Sequence, residues 1–280
     1  MSVAFSPSSP HAGSGVAVPG GENEQASYPG GKSGAGIYQR LINLIPHHET
    51  LIVPFAGRCG VTRRIRAAGH TILIDLDERV LDWWHAWQRK PEGRAVELHH
   101  ADGIEWVRFR FGLSRYTRDP DALPGVTADD AFIFADPPYV LAERVKQKIY
   151  QHEMSDACHQ RLVQLATRLA VPMMICGYAS PIYASLEPWE IMHHEVPGRR
   201  GLRAECVWMN YHAPTRLHDY RYVGDHRRER ERIRRRQRNL LSMLDAMVDR
   251  ERAAMLSAIR EEYSDAFSHG GRSTESGARP

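Results

Sequence analysis

A chain of 280 residues, 42% hydrophobic and 25% charged, has enough apolar material for one large core plus appendages and the composition of an ordinary globular protein. A formal net charge of +3 is too small to argue for a polyanionic partner, so the placement of charge matters more than its sum. Cys59, Cys158, Cys176 and Cys206 show no CxxC or paired spacing, which argues against a zinc site and a disulfide framework and for reduced thiols. No apolar run reaches the roughly 18 residues of a membrane span, and no charged stretch followed by an apolar core marks a signal peptide.

Residues 1–26, rich in Ser, Gly, Pro and Ala, are expected to form a flexible tail ahead of a catalytic domain over 27–215. Ile37, Leu41, Leu44 and Ile45 predict a helix over 36–45, stopped by Pro46. A strand at 51–53 runs into Pro54-Phe55-Ala56-Gly57-Arg58-Cys59-Gly60, followed by a helix over 61–68 closed by Gly69. A second strand, 71–74, ends on Asp75; a helix over 78–88 and a strand at 96–99 follow, the latter ending just before Asp102. An irregular basic-aromatic segment leads to the apolar run Ala131-Phe132-Ile133-Phe134-Ala135, a buried strand cut off by two prolines. Ser155 and Asp156 start a helix, 172–176 reads as a strand, and 193–196 with 205–211 forms a closing hairpin. This alternation predicts an α/β fold: a mostly parallel sheet with helices on both faces and an antiparallel hairpin at its end. Beyond it, residues 226–262 combine Arg227, Arg228, Arg230, Arg232, Arg234, Arg235, Arg236 and Arg238 with an apolar face of Leu240, Leu244, Met247 and Met255. Residues 263–280 read as a disordered end.

The chemistry gathers at the ends of the strands. Pro137 and Pro138 lack amide hydrogens and fix φ, so Asp136 and Tyr139 stand on a stiff elbow at the carboxyl end of a strand, where open α/β sheets bind ligands. An acidic acceptor, unpartnered carbonyls and an aromatic face suit a flat, amine-bearing ring. The Phe55–Gly60 loop lets a ligand approach the backbone, and Asp75, about 20 residues further, sits where nucleotide folds place the acid that binds ribose. Asp102 is placed to accept from an adenine amine. The stretch Ala26-Ser27-Tyr28-Pro29-Gly30-Gly31-Lys32-Ser33 fits a relaxed phosphate-loop pattern, but no buried strand precedes it and Tyr28-Pro29 stiffens its middle, so an ATP site is disfavoured. The histidines show no metal-ligand spacing, and no metal is expected.

The order Tyr28-Pro29-Gly30-Gly31-Lys32, Pro54-Phe55-Ala56-Gly57, Asp75, Asp136-Pro137-Pro138-Tyr139 and Glu205-Cys206-Val207-Trp208-Met209-Asn210-Tyr211 resembles the Dam-like family of DNA adenine methyltransferases over about residues 28–211. The resemblance implies a Rossmann-like sheet ending in a reversed hairpin, S-adenosylmethionine as methyl donor and transfer to the exocyclic amine of adenine in double-stranded DNA. By that likeness Tyr28, Lys32 and the loop of Pro54, Phe55, Ala56 and Gly57 hold the donor's methionine part, Asp75 takes its ribose and Asp102 its adenine. Asp136 and the Pro137 carbonyl accept from the target amine, Pro138 stiffens the elbow and Tyr139 floors the pocket. The sequence departs from the family at Val53, where an acid often stands, and at Cys59, in place of a glycine. A bacterial cytoplasm, in a host or a phage setting, is the implied location.

In the family a segment between Asp102 and Asp136 often reads sequence. Here residues 105–127 carry Trp106, Arg108, Phe109, Arg110, Phe111, Arg115, Tyr116 and Arg118, arginine and aromatics interleaved as phosphate contact and stacking require. Arg108, Arg110, Arg115 and Arg118 are the candidate DNA contacts, and the Arg-rich run at 227–238 is a second one that touches phosphates alone or a solvated helix whose apolar continuation could pair subunits. Two competing readings stay open. One keeps the donor and moves the methyl to adenine in RNA or to a protein glutamine, though those families more often have Asn where Asp136 stands. The other is a nucleic-acid-binding protein on an inactive methyltransferase scaffold.

Overall fold

The computed structural model describes residues 31–34, 36–113, 130–144, 149–198 and 201–264. The expected contacts Tyr28, Arg115 and Arg118, and most of both expected tails, lie outside these residues. The chain forms one seven-stranded sheet from β1 (Thr50–Val53), β2 (His70–Asp75), β3 (Glu97–His100), β4 (Ala131–Ala135), β5 (Met173–Gly177), β6 (Glu190–Gly198) and β7 (Gly201–Met209). Its order is β3-β2-β1-β4-β5-β7-β6. The first five strands are parallel, β7 runs antiparallel against β5, and β6 closes the edge. This is the Rossmann-like sheet with a reversed hairpin that the strand pattern predicts.

The central strands β1, β4 and β5 are buried along their whole length, as their near-continuous apolar runs require when helices cover both faces. On one face α1 (Ile37–Ile42), α2 (Gly60–Arg64) and α3 (Glu78–Gln88) bury Leu41, Val61, Trp84 and Trp87 against Val53, Phe132 and Phe134. On the other, α4 (Gly103–Arg110) and α5 (Asp156–Ala166) bury Ile104, Val107, Leu162 and Leu165 against Ile52, Ile133 and Ile175. Beyond the domain lie α6 (Arg227–Asp245) and α7 (Asp249–Glu262), and no residue of α7 is buried.

The first helix is shorter than the expected 36–45 and the hairpin strands run over 190–198 and 201–209 rather than 193–196 and 205–211; two further elements depart from the sequence pattern. The helix after β1 ends at Arg64, four residues short of the expected end, and Ile65 is already extended with ψ 150°. The Arg94 guanidinium donates to the carbonyls of Thr62 and Ile65, satisfying from outside the groups that a further turn would have used, so Gly69 closes no helix. The basic-aromatic segment is regular over 103–110. The Asp102 carboxylate caps it by accepting from the amides of Ile104 at 2.9 Å and Glu105 at 3.2 Å, and Ile104 and Val107 supply the buried face. With only two apolar anchors among Trp106, Arg108, Phe109 and Arg110, the helical period was hidden.

The core also holds neutral histidines. His48 stacks on His218 with centroids 3.8 Å apart and on Phe132 at 5.4 Å, and its Nδ1 lies 2.8 Å from the Pro46 carbonyl. Burial, then the neighbouring His218, pushes its pKa down to about 3, and burial takes His159, bonded to the Tyr183 hydroxyl at 2.8 Å, down to about 4. In the unfolded chain both rings protonate near the ordinary value of 6.5, while the folded chain keeps them neutral to about 4 or below. The unfolded state therefore binds more protons across that window, and stability falls as pH drops from about 6.5 toward 4, by about 1.4 kcal/mol per histidine per pH unit. Urea midpoints measured between pH 7.5 and 4.5 should fall accordingly, and His159→Phe should flatten the slope by one histidine's share whatever its absolute stability. An unaltered slope in that variant would assign the acid sensitivity elsewhere.

Candidate active site

β1 and β4 are neighbours, and the helices that follow them go to opposite faces of the sheet, α2 to one and α5 to the other. A cleft opens at such a switch point because the two loops diverge. The cavity there is lined by Pro54, Phe55, Ala56 and Gly57 after β1, by Asp75 after β2, by Asp102 after β3 and by Asp136 and Pro138 after β4. Four strand ends far apart in sequence thus contribute to one space.

The loop after β1 is held by side chains from the next β-α unit. Trp84 of α3 donates its indole N–H to the Gly57 carbonyl at 2.7 Å, and the Asp75 carboxylate accepts from the amides of Gly57 and Asp77, each at 2.9 Å. Burial pushes the Asp75 carboxyl up, against the downward pull of those two amides. Each of its oxygens keeps further acceptor capacity for a ligand hydroxyl. At Gly103 a Cβ would stand 1.8 Å from the Pro54 carbonyl oxygen, so only glycine lets the loops after β1 and β3 come this close. The two departures from the family pattern both have structural roles, and Cys59 also lines the cavity. Val53 is fully buried in β1, and the Cys59 thiol accepts from the Thr62 amide at 3.4 Å as the cap of α2.

Lys32 behaves differently from its expected place at the donor's methionine part. It does not line the cavity; only 6% exposed, it places Nζ 2.8 Å from Asp136 Oδ1, 3.6 Å from Glu205 Oε2 and in hydrogen-bond contact with the Tyr139 hydroxyl. The ammonium also lies 4.8 Å from the centre of the Tyr139 ring. Burial alone would favour the neutral amine, but Asp136 and then Glu205 outweigh it and hold the pKa above the ordinary lysine range. Burial pushes the Asp136 carboxyl up and Lys32 draws it back only in part. Backbone geometry delivers the lysine. Gly60 donates to the Gly31 carbonyl at 2.7 Å, and a Cβ on Gly60 would stand 2.7 Å from that same oxygen. Lys32 itself adopts a left-handed φ of 48°, uncommon for a residue with a side chain.

Tyr139 likewise differs from an open floor. It is buried, its ring meets Tyr178 edge-on at 4.6 Å, and its hydroxyl donates to Glu205 Oε2 at 3.1 Å. Asp136 and Pro138 reach the cavity wall; Tyr139 stands behind them. Arg108 and Arg110 occupy the last turn of α4, which starts at the cavity with Asp102 and runs back from it for about 10 Å at 1.5 Å per residue. That placement takes them away from the mouth, and Arg108 pairs with Glu105 at 3.1 Å.

Glu205 had no role in the sequence reading and is the third member of the buried cluster. Burial favours its neutral form, but His194, with Nε2 3.3 Å away, Lys32 and the Tyr139 hydroxyl outweigh that and hold its carboxyl low. The one available signal was an acid opening the otherwise apolar run Cys206-Val207-Trp208-Met209. Also unforeseen is the cavity wall formed by residues 150–154. Glu153 shapes it, taking the Arg144 guanidinium and the amides of Ile149 at 2.7 Å and Tyr150 at 2.9 Å. No spacing in the sequence announces that loop.

No family model and no curated protein matches the chain. Among solved structures, TrmN from Thermus thermophilus is similar at 15% identity and a TM-score of 0.36, over 61% of this chain and 46% of that one. The O-methyltransferase from Bacillus cereus in complex with SAH is similar at 13% identity and a TM-score of 0.38, over 67% of this chain and 83% of that one. Precorrin 8W decarboxylase from Methanobacterium thermoautotrophicum is similar at 10% identity and a TM-score of 0.35, over 62% and 89%. The chain thus spans less than half of TrmN. At these scores the likenesses carry no argument, and the fold rests on the strand order itself.

Removing one partner from a buried ion cluster leaves the others desolvated and uncompensated, at a cost of about 3–5 kcal/mol. Lys32→Met should lower stability by that order, read as a fall in the urea midpoint. Tyr139→Phe, which removes only a hydroxyl, should cost about 1–3 kcal/mol. Equal midpoints for Lys32→Met and the parent chain would show that the ammonium does not compensate the two carboxylates.

Proposed function

We propose that the chain is an S-adenosylmethionine-dependent methyltransferase that acts on the exocyclic amine of adenine in DNA. The observation that carries this reading is the sharing of one cavity by Asp75, Asp102 and Asp136, so that a nucleoside-binding wall and an amine-accepting elbow face the same space. The residues fit the donor chemically. Asp75 and Asp102 offer carboxylate oxygens for hydroxyl and amine hydrogens, Phe55, Ile104 and Met154 offer apolar surface for a ring, and Arg58 offers a cation for a carboxylate. S-adenosylmethionine bound there supplies an electrophilic methyl group on a sulfonium.

The chain's own part is to position and polarise the acceptor. An adenine amine is a weak nucleophile because its lone pair is delocalised into the ring. Asp136 and the Pro137 carbonyl accept its two hydrogens, which localises the pair and aims it at the methyl carbon. Lys32 engages Asp136 Oδ1, which fixes the carboxylate's orientation and assigns Oδ2 to the amine. On transfer from such a donor, the surplus amine proton would pass to Asp136, whose carboxyl burial has made more basic than usual. The target atom is out of reach inside a duplex, so the base has to leave the stack.

Labelled-methyl transfer onto duplex DNA and onto RNA, followed by nucleoside analysis, tests the acceptor; label in RNA alone would overturn the DNA assignment. Asp136→Ala should lower transfer by about 10²–10³-fold, the scale of losing a preorganised polar group, while calorimetry still detects donor binding. Asp75→Ala should weaken donor binding by about tenfold, the value of one hydrogen bond. Undiminished transfer by Asp136→Ala would refute the mechanism, and no donor binding by the parent chain would leave a scaffold without the activity.

A further inference from the structure

The expected DNA contacts Arg108 and Arg110 run away from the cavity, and the chain's strongest concentration of positive charge lies elsewhere. Arg63, in the last turn of α2, donates to the Ser33 hydroxyl at 2.9 Å, one residue from Lys32, and its guanidinium lies 5.4 Å from the Trp83 ring. Arg64, next along the chain, lies 4.6 Å over Tyr38, and Tyr38 meets Tyr222 edge-on at 5.4 Å. Tyr222 in turn carries Arg221 at 5.6 Å and Arg234 of α6 at 6.0 Å. Arginines on aromatic faces thus lead without a break from the edge of the active site to α6.

α6 is anchored to this ridge by one face. Arg230 donates to the Gly224 carbonyl at 3.1 Å and Arg234 to the Arg221 carbonyl at 3.4 Å, and Asn43 holds the Tyr222 carbonyl at 2.7 Å. Arg230 and Arg234 are four apart and share that face; at 100° per residue Arg228, Arg232, Arg235 and Arg236 fall on the opposite side. All four are exposed. Glu229 pairs with Arg232 at 3.0 Å and Glu231 with Arg227 at 2.8 Å, so both glutamates of this stretch are taken. Arg228, Arg235 and Arg236 have no acidic partner among the described residues. A solvated helix face gains from interspersed acids; this one concentrates guanidinium groups, whose planar donor fork matches phosphate.

We propose that the outward face of α6, with the arginine ridge that joins it to α2, binds the phosphate backbone of the nucleic-acid substrate without reading its sequence. The stripe from Arg228 to Arg236 spans about 12 Å at 1.5 Å per residue, the rise of about three to four base pairs. The inference rests on the substrate being a nucleic acid, and it adds to the proposed function the surface that captures it.

The test is binding of a fluorescently labelled duplex DNA by the full chain, by anisotropy across a series of salt concentrations. The combined variant Arg228→Gln, Arg235→Gln, Arg236→Gln lies outside the catalytic machinery, and circular dichroism checks that α6 stays helical. Each lost phosphate contact should reduce the slope of log K against log salt by about 0.9, so the triple variant should fall by nearly three while transfer at saturating DNA and low salt is kept. An unchanged slope would overturn the proposal even if the parent chain methylates DNA. A reduced slope in the triple variant, with a parent chain that binds the duplex but transfers no methyl, would uphold the surface and refute the proposed activity. Binding to anionic phospholipid vesicles with no salt-dependent binding of the duplex would also overturn it.

Discussion

One ammonium group decides the shape of the elbow after β4. Lys32 is buried against Asp136 and Glu205, so a single positive charge compensates two carboxylates drawn from two different strands of the sheet. In a low-dielectric setting such a cluster holds only if every member is partnered. That demand ties three distant pieces together: the stretch before α1, the elbow after β4 and the middle of β7. Gly60 supplies the tether that lets Lys32 reach, and His194 and the Tyr139 hydroxyl complete the shell around Glu205. The orientation of Asp136 is therefore set by residues that never touch the cavity.

The loops after β1 and β3 follow a different logic, in which carboxylates organise backbone as they line the cavity. Asp75 fixes the loop after β1 through two amides, and Asp102 starts α4. Each spends part of its acceptor capacity on the fold and leaves part facing the cavity. Because the same groups hold the loops and line the space, the cavity keeps its form through short-range bonds. The Trp84 indole and the glycine at position 103 close the remaining gaps between loops.

What could be read in the sequence followed from strong local signals. Continuous apolar runs placed β1, β4 and β5, the Ser155 cap placed α5, and strand-end acids located the cleft. Signals that depend on distant partners were silent. Nothing near Ile65 says that Arg94 will take its carbonyl and end α2 early, and nothing near Asp136 says that Glu205 will stand behind it. The resemblance placed Lys32 at the donor's methionine part, and nothing around it in the sequence announces a lysine buried beneath the elbow. The segment at 103–110 misled because arginine and aromatics obscured a helix that needs only Ile104 and Val107 to dock.

The small net charge of the chain hides a separation that matters for function. Asp75, Asp77, Asp102 and Asp136 gather at the cavity, while arginines collect on the ridge from α2 to α6. Under the proposed function, a polyanionic substrate would be repelled by the first surface and attracted by the second, which would hold its backbone off the acidic wall. A neutral base swung out of the stack would meet no such barrier, and a cationic donor would be drawn toward it. The sum of +3 thus conceals two opposed local concentrations of charge, which the proposed function would divide between the chemistry and the capture of its substrate.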